Sequence, residues 1–134
     1  MADHFSVLLV HEQNEPFRAL EQTLLSQGIR TEHAHTCSEA GAALRGPHSA
    51  RVVLTDTSLT DGTWADVLDL ASAVPVVVVS RLVDIDLYLN VLESGAADFI
   101  VPPVSPGDLA HVIKTAIGKN SGNGPIKEHR VAAA

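Results

Sequence analysis

Short apolar runs alternate along this chain with segments of helical spacing. Residues 5–10 (FSVLLV), 51–55 (RVVLT) and 75–79 (PVVVV) are apolar almost throughout. Residues 98–101 (DFIV) form a weaker run of the same kind, and residues 30–34 (RTEHA) a polar one. β-Branched runs without polar alternation predict strands buried on both faces, which means a parallel sheet covered by helices. The polar run then belongs on an edge strand. Between the runs, apolar residues recur at helical intervals. Pro16 opens a helix over 16–27 with Phe17, Leu20 and Leu24 on one stripe, and Gly28 closes it. Ser38 is read as the N-cap of a helix over 38–45 that stops at Gly46-Pro47. Helices over 63–72 (Trp64, Val67, Leu68, Ala71), 84–94 (Ile85, Leu89, Leu92) and 105–118 (Leu109, Val112, Ile113, Ala116, ending at Gly118) follow.

The order is β-α five times over with short connections, as right-handed crossovers require. It predicts an α/β fold: a doubly wound five-stranded parallel sheet of the flavodoxin-like kind, strand order 2-1-3-4-5. Residues 1–119 are read as one domain. Residues 120–134 (NSGNGPIKEHRVAAA) are read as a flexible tail or the start of a linker.

Charge and composition narrow the function classes. Nine Lys and Arg against sixteen Asp and Glu give a formal charge of −7. Such a surface repels phosphate backbones and anionic lipid, so direct nucleic-acid or membrane binding is not expected. One cysteine, Cys37, cannot form an internal disulfide or a cysteine-based zinc cluster. No apolar run approaches the roughly 20 residues a membrane span needs, and MADHF does not read as a secretory leader. The expectation is a cytoplasmic domain.

Sites in such sheets lie beyond the carboxyl ends of the strands. That directs attention to His11-Glu12, Asp56, Ser80 and Pro102-Pro103. Asp56 ends a buried run, where a carboxylate pays desolvation unless a cation or donor compensates it. A turn or capping aspartate is the plainer alternative. Glu12 brings a second carboxylate from the neighbouring strand end, and hard oxygen ligands in a pair suit Mg²⁺; a solvated loop glutamate is the alternative. Ser80 offers a hydroxyl, as a phosphoryl donor or a helix cap. Arg81 is either a solvated loop residue, the reading its type favours, or a cation reaching over this end of the sheet. His33 and His35 alternate on one side of the edge strand near His11, as a solvated face or a transition-metal site. Trp64 and Cys37 are read as packing residues. No glycine-rich phosphate loop follows the first strand, and no G-x-S-x-G elbow is present, so a nucleotide-binding or hydrolytic enzyme has no support.

VLLVHEQ, VVLTDTSLTDGT, VVVVS and ESGAADFIVPPVSPGDL together resemble the receiver domain of two-component response regulators, the chemotaxis-receiver family, over residues 5–118. The resemblance implies a phosphorelay signalling domain rather than an enzyme. It makes Asp56 the acceptor of a phosphoryl group from a histidine kinase or phosphotransfer protein. It makes Ser80 the hydroxyl that bonds the phosphoryl group, and Phe99 the switch aromatic. It assigns Mg²⁺ to Glu12 and Asp56, with His11 in the third, doubtful position. It also implies a downstream protein partner on the face of the fourth helix, fifth strand and fifth helix, where Leu87, Tyr88, Val91, Val101 and Val104 are candidates, and a possible homodimer. Two positions depart from the family pattern. His11 replaces one of two acidic residues, which weakens Mg²⁺ binding, and Pro102 stands where the family has a lysine. The expected outcome is an atypical receiver that accepts phosphate with reduced efficiency. The alternative is a phosphorylation-independent pseudo-receiver that binds partner proteins.

Overall fold

The first strand, β1 (Ser6–Val10), leads into α1 (Glu15–Ser26), β2 (Arg30–Ala34), α2 (Cys37–Arg45) and β3 (Ala50–Asp56). A small antiparallel pair, β4 (Ser58–Leu59) and β5 (Gly62–Thr63), precedes α3 (Trp64–Ala71) and β6 (Val76–Val79). Then come α4 (Ile85–Glu93), β7 (Asp98–Val101), α5 (Pro106–Ser121) and the two-residue β8 (Ala132–Ala133). This computed structural model describes residues 5–12, 15–121 and 132–133. Most of the segment read as a tail lies outside the described residues.

The sheet order is β2-β1-β3-β6-β7-β8, every pair parallel. Its five long strands stand in the predicted order. Alternate residues of each strand face opposite sides, and both sides are covered. Leu8, Val10, Val53, Val78 and Phe99 pack with Ala40, Trp64, Val67 and Val91 of α2, α3 and α4. Val7, Leu9, Leu54, Val77 and Ile100 pack with Phe17, Leu24, Leu109 and Val112 of α1 and α5. This double coverage is why the valine runs carry no polar alternation. The polar β2 does form the edge.

Three local expectations need correction. The N-cap of α2 is Thr36, whose hydroxyl accepts from the Glu39 N–H, and Ser38 lies within the helix. The cause is long-range: Asp61 accepts the N–H groups of Cys37 at 2.7 Å and Ser38 at 3.0 Å, which supplies partners for two more donors of the first turn. Those two bonds also hold the Asp61 carboxyl below its usual range. In α4 the buried residue is Val91, while Ile85 and Leu89 are 58% and 48% exposed. The register puts Val91 under the sheet together with the half-buried Leu87 and Tyr88, so the stripe read from Ile85, Leu89 and Leu92 is not the packed one. Gly118 does not end α5, which continues to Ser121. A glycine in a helix interior costs only about 1 kcal/mol, which neighbouring packing outweighs. Gly28 and Gly95, by contrast, do close α1 and α4 at φ of +79° and +106°, a region where a side chain is strained.

Candidate functional site

The carboxyl ends of β1, β3 and β6 bring His11, Asp56 and Ser80 to one end of the sheet. Asp56 is only 8% exposed. One oxygen, Oδ1, accepts from the Thr57 N–H at 2.7 Å, and Oδ2 lies 3.7 Å from Nη2 of Arg81. The guanidinium comes from a side chain that is 59% exposed. Arg81 therefore stands within ion-pair distance of Asp56 while most of its side chain stays in water. The signal for that contact was that Arg81 directly follows the strand end carrying Ser80.

Ser80 is buried, and its hydroxyl is engaged within its own turn. It donates to the Leu82 carbonyl at 2.8 Å and accepts from the Leu82 N–H at 3.2 Å. Glu12 is exposed and accepts from the Thr60 N–H in the turn between β4 and β5. The short strands flanking that turn were missed because a two-residue pair leaves no periodicity to read. Pro102 joins Pro103 through a cis peptide bond and carries no charge. Phe99 is fully buried, with its ring edge against Tyr88 at 5.7 Å between centroids. Trp64 and Cys37 are core residues as read, and burial pushes the Cys37 thiol up to about 11.

His11 is 5% exposed and stacks on Phe17, with ring centroids 4.6 Å apart and planes 5° from parallel. Its Nε2 lies 3.1 Å from Nδ1 of His33, and His33 Nε2 lies 3.0 Å from the Glu21 carboxylate. Burial, and then the neighbouring His33 and His35, push His11 from 6.5 down to about 4. The imidazole is thus neutral at physiological pH. The bond from His33 holds the Glu21 carboxyl below its usual range.

These donors fit Mg²⁺ poorly. The oxygen ligands offered are Glu12 and Asp56, and each already accepts a backbone N–H. The third position is a neutral nitrogen donor with a histidine partner, whereas Mg²⁺ demands oxygen. Among the described residues, no three His, Cys, Asp or Glu side chains stand ready around one point.

The apolar candidates on the α4–β7–α5 face also sort differently. Val91 and Val101 are buried, and Leu87, Tyr88 and Val104 are half-buried. The exposed apolar residues are Leu82, Val83, Ile85 and Leu89, around the start of α4. No described helix is long and apolar enough to cross a membrane.

No protein-family model matches the chain. It is 30% identical over 115 residues to response regulator protein PilR of Pseudomonas aeruginosa, spanning 82% of this chain and 25% of that protein. It is 30% identical over 121 residues to the KDP operon transcriptional regulatory protein KdpE of Escherichia coli, spanning 87% of this chain and 52% of that one. The chain therefore covers from a quarter to about half of these curated relatives. Among solved structures it is similar to a response regulator receiver protein from Pseudomonas putida. That match has a TM-score of 0.72 at 25% identity, over 85% of this chain and 98% of the other. A putative response regulator from Chloroflexus aurantiacus shares the fold with a TM-score of 0.78 at 19% identity, over 87% of this chain and all of that one.

Proposed function

The chain belongs to the receiver domains of response regulators, and from that premise we propose that it serves two-component signalling by accepting a phosphoryl group on Asp56 at reduced rate. The observation that carries this reading is the buried Asp56 carboxylate at the end of β3 with the Arg81 guanidinium 3.7 Å away. A carboxylate oxygen attacks the phosphorus of a phosphohistidine on a kinase or phosphotransfer partner. An O–P bond forms to give an acyl phosphate, and the N–P bond breaks. The departing imidazole nitrogen keeps the electron pair and takes up a proton. Charge on the phosphoryl oxygens then needs neutralising. Arg81 is the cation at hand, in the role left open by Pro102. Ser80 serves the product if its hydroxyl leaves the Leu82 carbonyl for a phosphoryl oxygen.

The residues that would hold Mg²⁺ are Glu12 and Asp56, and it would supply additional positive charge at that oxygen cluster. With His11 neutral and offering nitrogen, its affinity is weak, and the rate of acceptance is correspondingly low. The exposed Leu82, Val83, Ile85 and Leu89 suit a downstream protein partner next to the loop that carries Arg81.

Incubation of the chain with acetyl phosphate, followed by intact-mass measurement, tests the reading. The expected result is slow gain of one phosphoryl mass, absent in Asp56→Asn. No gain at millimolar Mg²⁺ would overturn it. Arg81→Ala is expected to slow the gain about tenfold. A charge-assisted contact is worth roughly 1.5–3 kcal/mol, and an exposed arginine delivers the lower part of that range. Initial rates of phosphorylation at two salt concentrations check it, because the wild-type advantage should shrink at high salt.

A second reading rests on a specific observation. His11 is packed as a neutral ring against Phe17 where the family has an acidic residue. That favours a module that binds its partner without phosphate. It predicts that Asp56→Asn leaves partner affinity unchanged.

A further inference from the structure

We propose that His11, His33 and His35 form a binding site for a divalent transition-metal cation of the Zn²⁺ type, separate from the carboxylates of Asp56 and Glu12. The topology places them together. His33 and His35 lie two residues apart along β2 and its end, on one side of the edge strand, and His11 follows the neighbouring β1. The ring centroids are 5.3 Å apart for His11 and His33, 5.7 Å for His11 and His35, and 6.4 Å for His33 and His35. Three imidazoles on one tetrahedral ion, with metal–nitrogen bonds of about 2.0–2.1 Å, have centroids about 5–5.5 Å apart. Two of the three separations are within a few tenths of an ångström of that range.

His11 Nε2 and His33 Nδ1 are hydrogen-bonded to each other at 3.1 Å, so the two nitrogens already face one another, and an ion bound between the rings would replace that bond. The outer nitrogen of His33 bonds the Glu21 carboxylate at 3.0 Å. A carboxylate behind a ligating histidine fixes its tautomer and raises its basicity, which is how metal-bound histidines are supported. His35 has Glu39 in the equivalent place, with Nδ1 3.9 Å from Oε1.

The three rings are not converged on one point as they stand. His35 must turn inward, and its half-exposed side chain leaves it room to do so. Imidazole nitrogen suits Zn²⁺, Cu²⁺ and Ni²⁺ and does not suit Mg²⁺, so the two kinds of cation are drawn to different donors at this end of the sheet.

Isothermal titration of the full chain with ZnCl₂ alone tests the proposal. The expected result is one saturable site with a dissociation constant in the micromolar range or below. His33→Gln and His35→Gln should each weaken it at least tenfold, and Glu21→Gln by about tenfold. Asp56→Asn, His48→Gln and His111→Gln should leave it unchanged. His33 and His35 are on the edge strand and partly exposed, so these variants keep the fold where a change at buried His11 could lose it. Co²⁺ in place of Zn²⁺ should give the intense visible absorption of a tetrahedral site, lost in His33→Gln. Absence of a saturable site overturns the proposal. So does affinity that survives both His33→Gln and His35→Gln, which would mean that other histidines hold the ion. Loss of Zn²⁺ binding in Asp56→Asn overturns it too, because it would place the ion at the carboxylates.

Discussion

Phe99→Ala should cost about 3–5 kcal/mol of folding stability, the range for deleting a fully buried aromatic side chain. The ring is on β7, in the core layer formed with α2, α3 and α4, and it meets Tyr88 edge-on. Truncation leaves a cavity beneath α4, lined by groups that cannot all collapse into it. Urea unfolding followed by circular dichroism measures the loss as a lower midpoint at unchanged slope. Phe99→Leu, which keeps most of the volume, should cost far less. If Phe99 turns when Asp56 is phosphorylated, as the family resemblance implies, its present pocket must be left and refilled. Phe99→Leu would then loosen the link between acceptance and partner binding while leaving the acceptance rate alone.

Acidification should destabilise the fold through His11. The unfolded chain protonates this imidazole near 6.5, whereas the folded chain resists until about 4. Between those values the unfolded state binds more protons, so stability falls as pH drops from about 6.5 to about 4 and is fully present above that window. The size is on the order of 2–3 kcal/mol. A tenfold change in proton affinity is worth about 1.4 kcal/mol, and the polar neighbours of the ring soften the full effect. Melting temperatures of wild type and His11→Gln across pH 4–7 check this. The gap between the two curves should narrow toward acid, and curves that stay parallel would refute the assignment to His11.

Much of the architecture is legible in the order of residues. The Val-rich runs at 51–55 and 75–79 can only be strands covered on both sides, and RTEHA can only be an edge, because burial dictates composition there. The strand-end rule then gathers His11, Asp56 and Ser80 without knowledge of any contact. What escaped is what depends on distance in sequence. The cap of α2 turns on Asp61, over twenty residues away. Whether Ser80 aims its hydroxyl at Asp56 or at its own turn is a rotamer choice that residue type does not encode. Arg81 on Asp56 required the two strand ends to be laid side by side. The stripe of α4 misled because Ile85 and Leu89 are spaced as a packed face, yet the helix sets Val91 against the sheet instead and leaves them in water.

The polar edge strand also has a consequence for self-association. β2 turns Arg30 outward and keeps Glu32 and His33 only partly covered. A neighbouring molecule that tried to add its own strand there would have to strip water from these groups, with no apolar face to gain in return. The sheet is thereby protected at this edge against growing sideways into fibre-like stacks. If copies of this chain pair, they do so through other ground, such as the apolar start of α4.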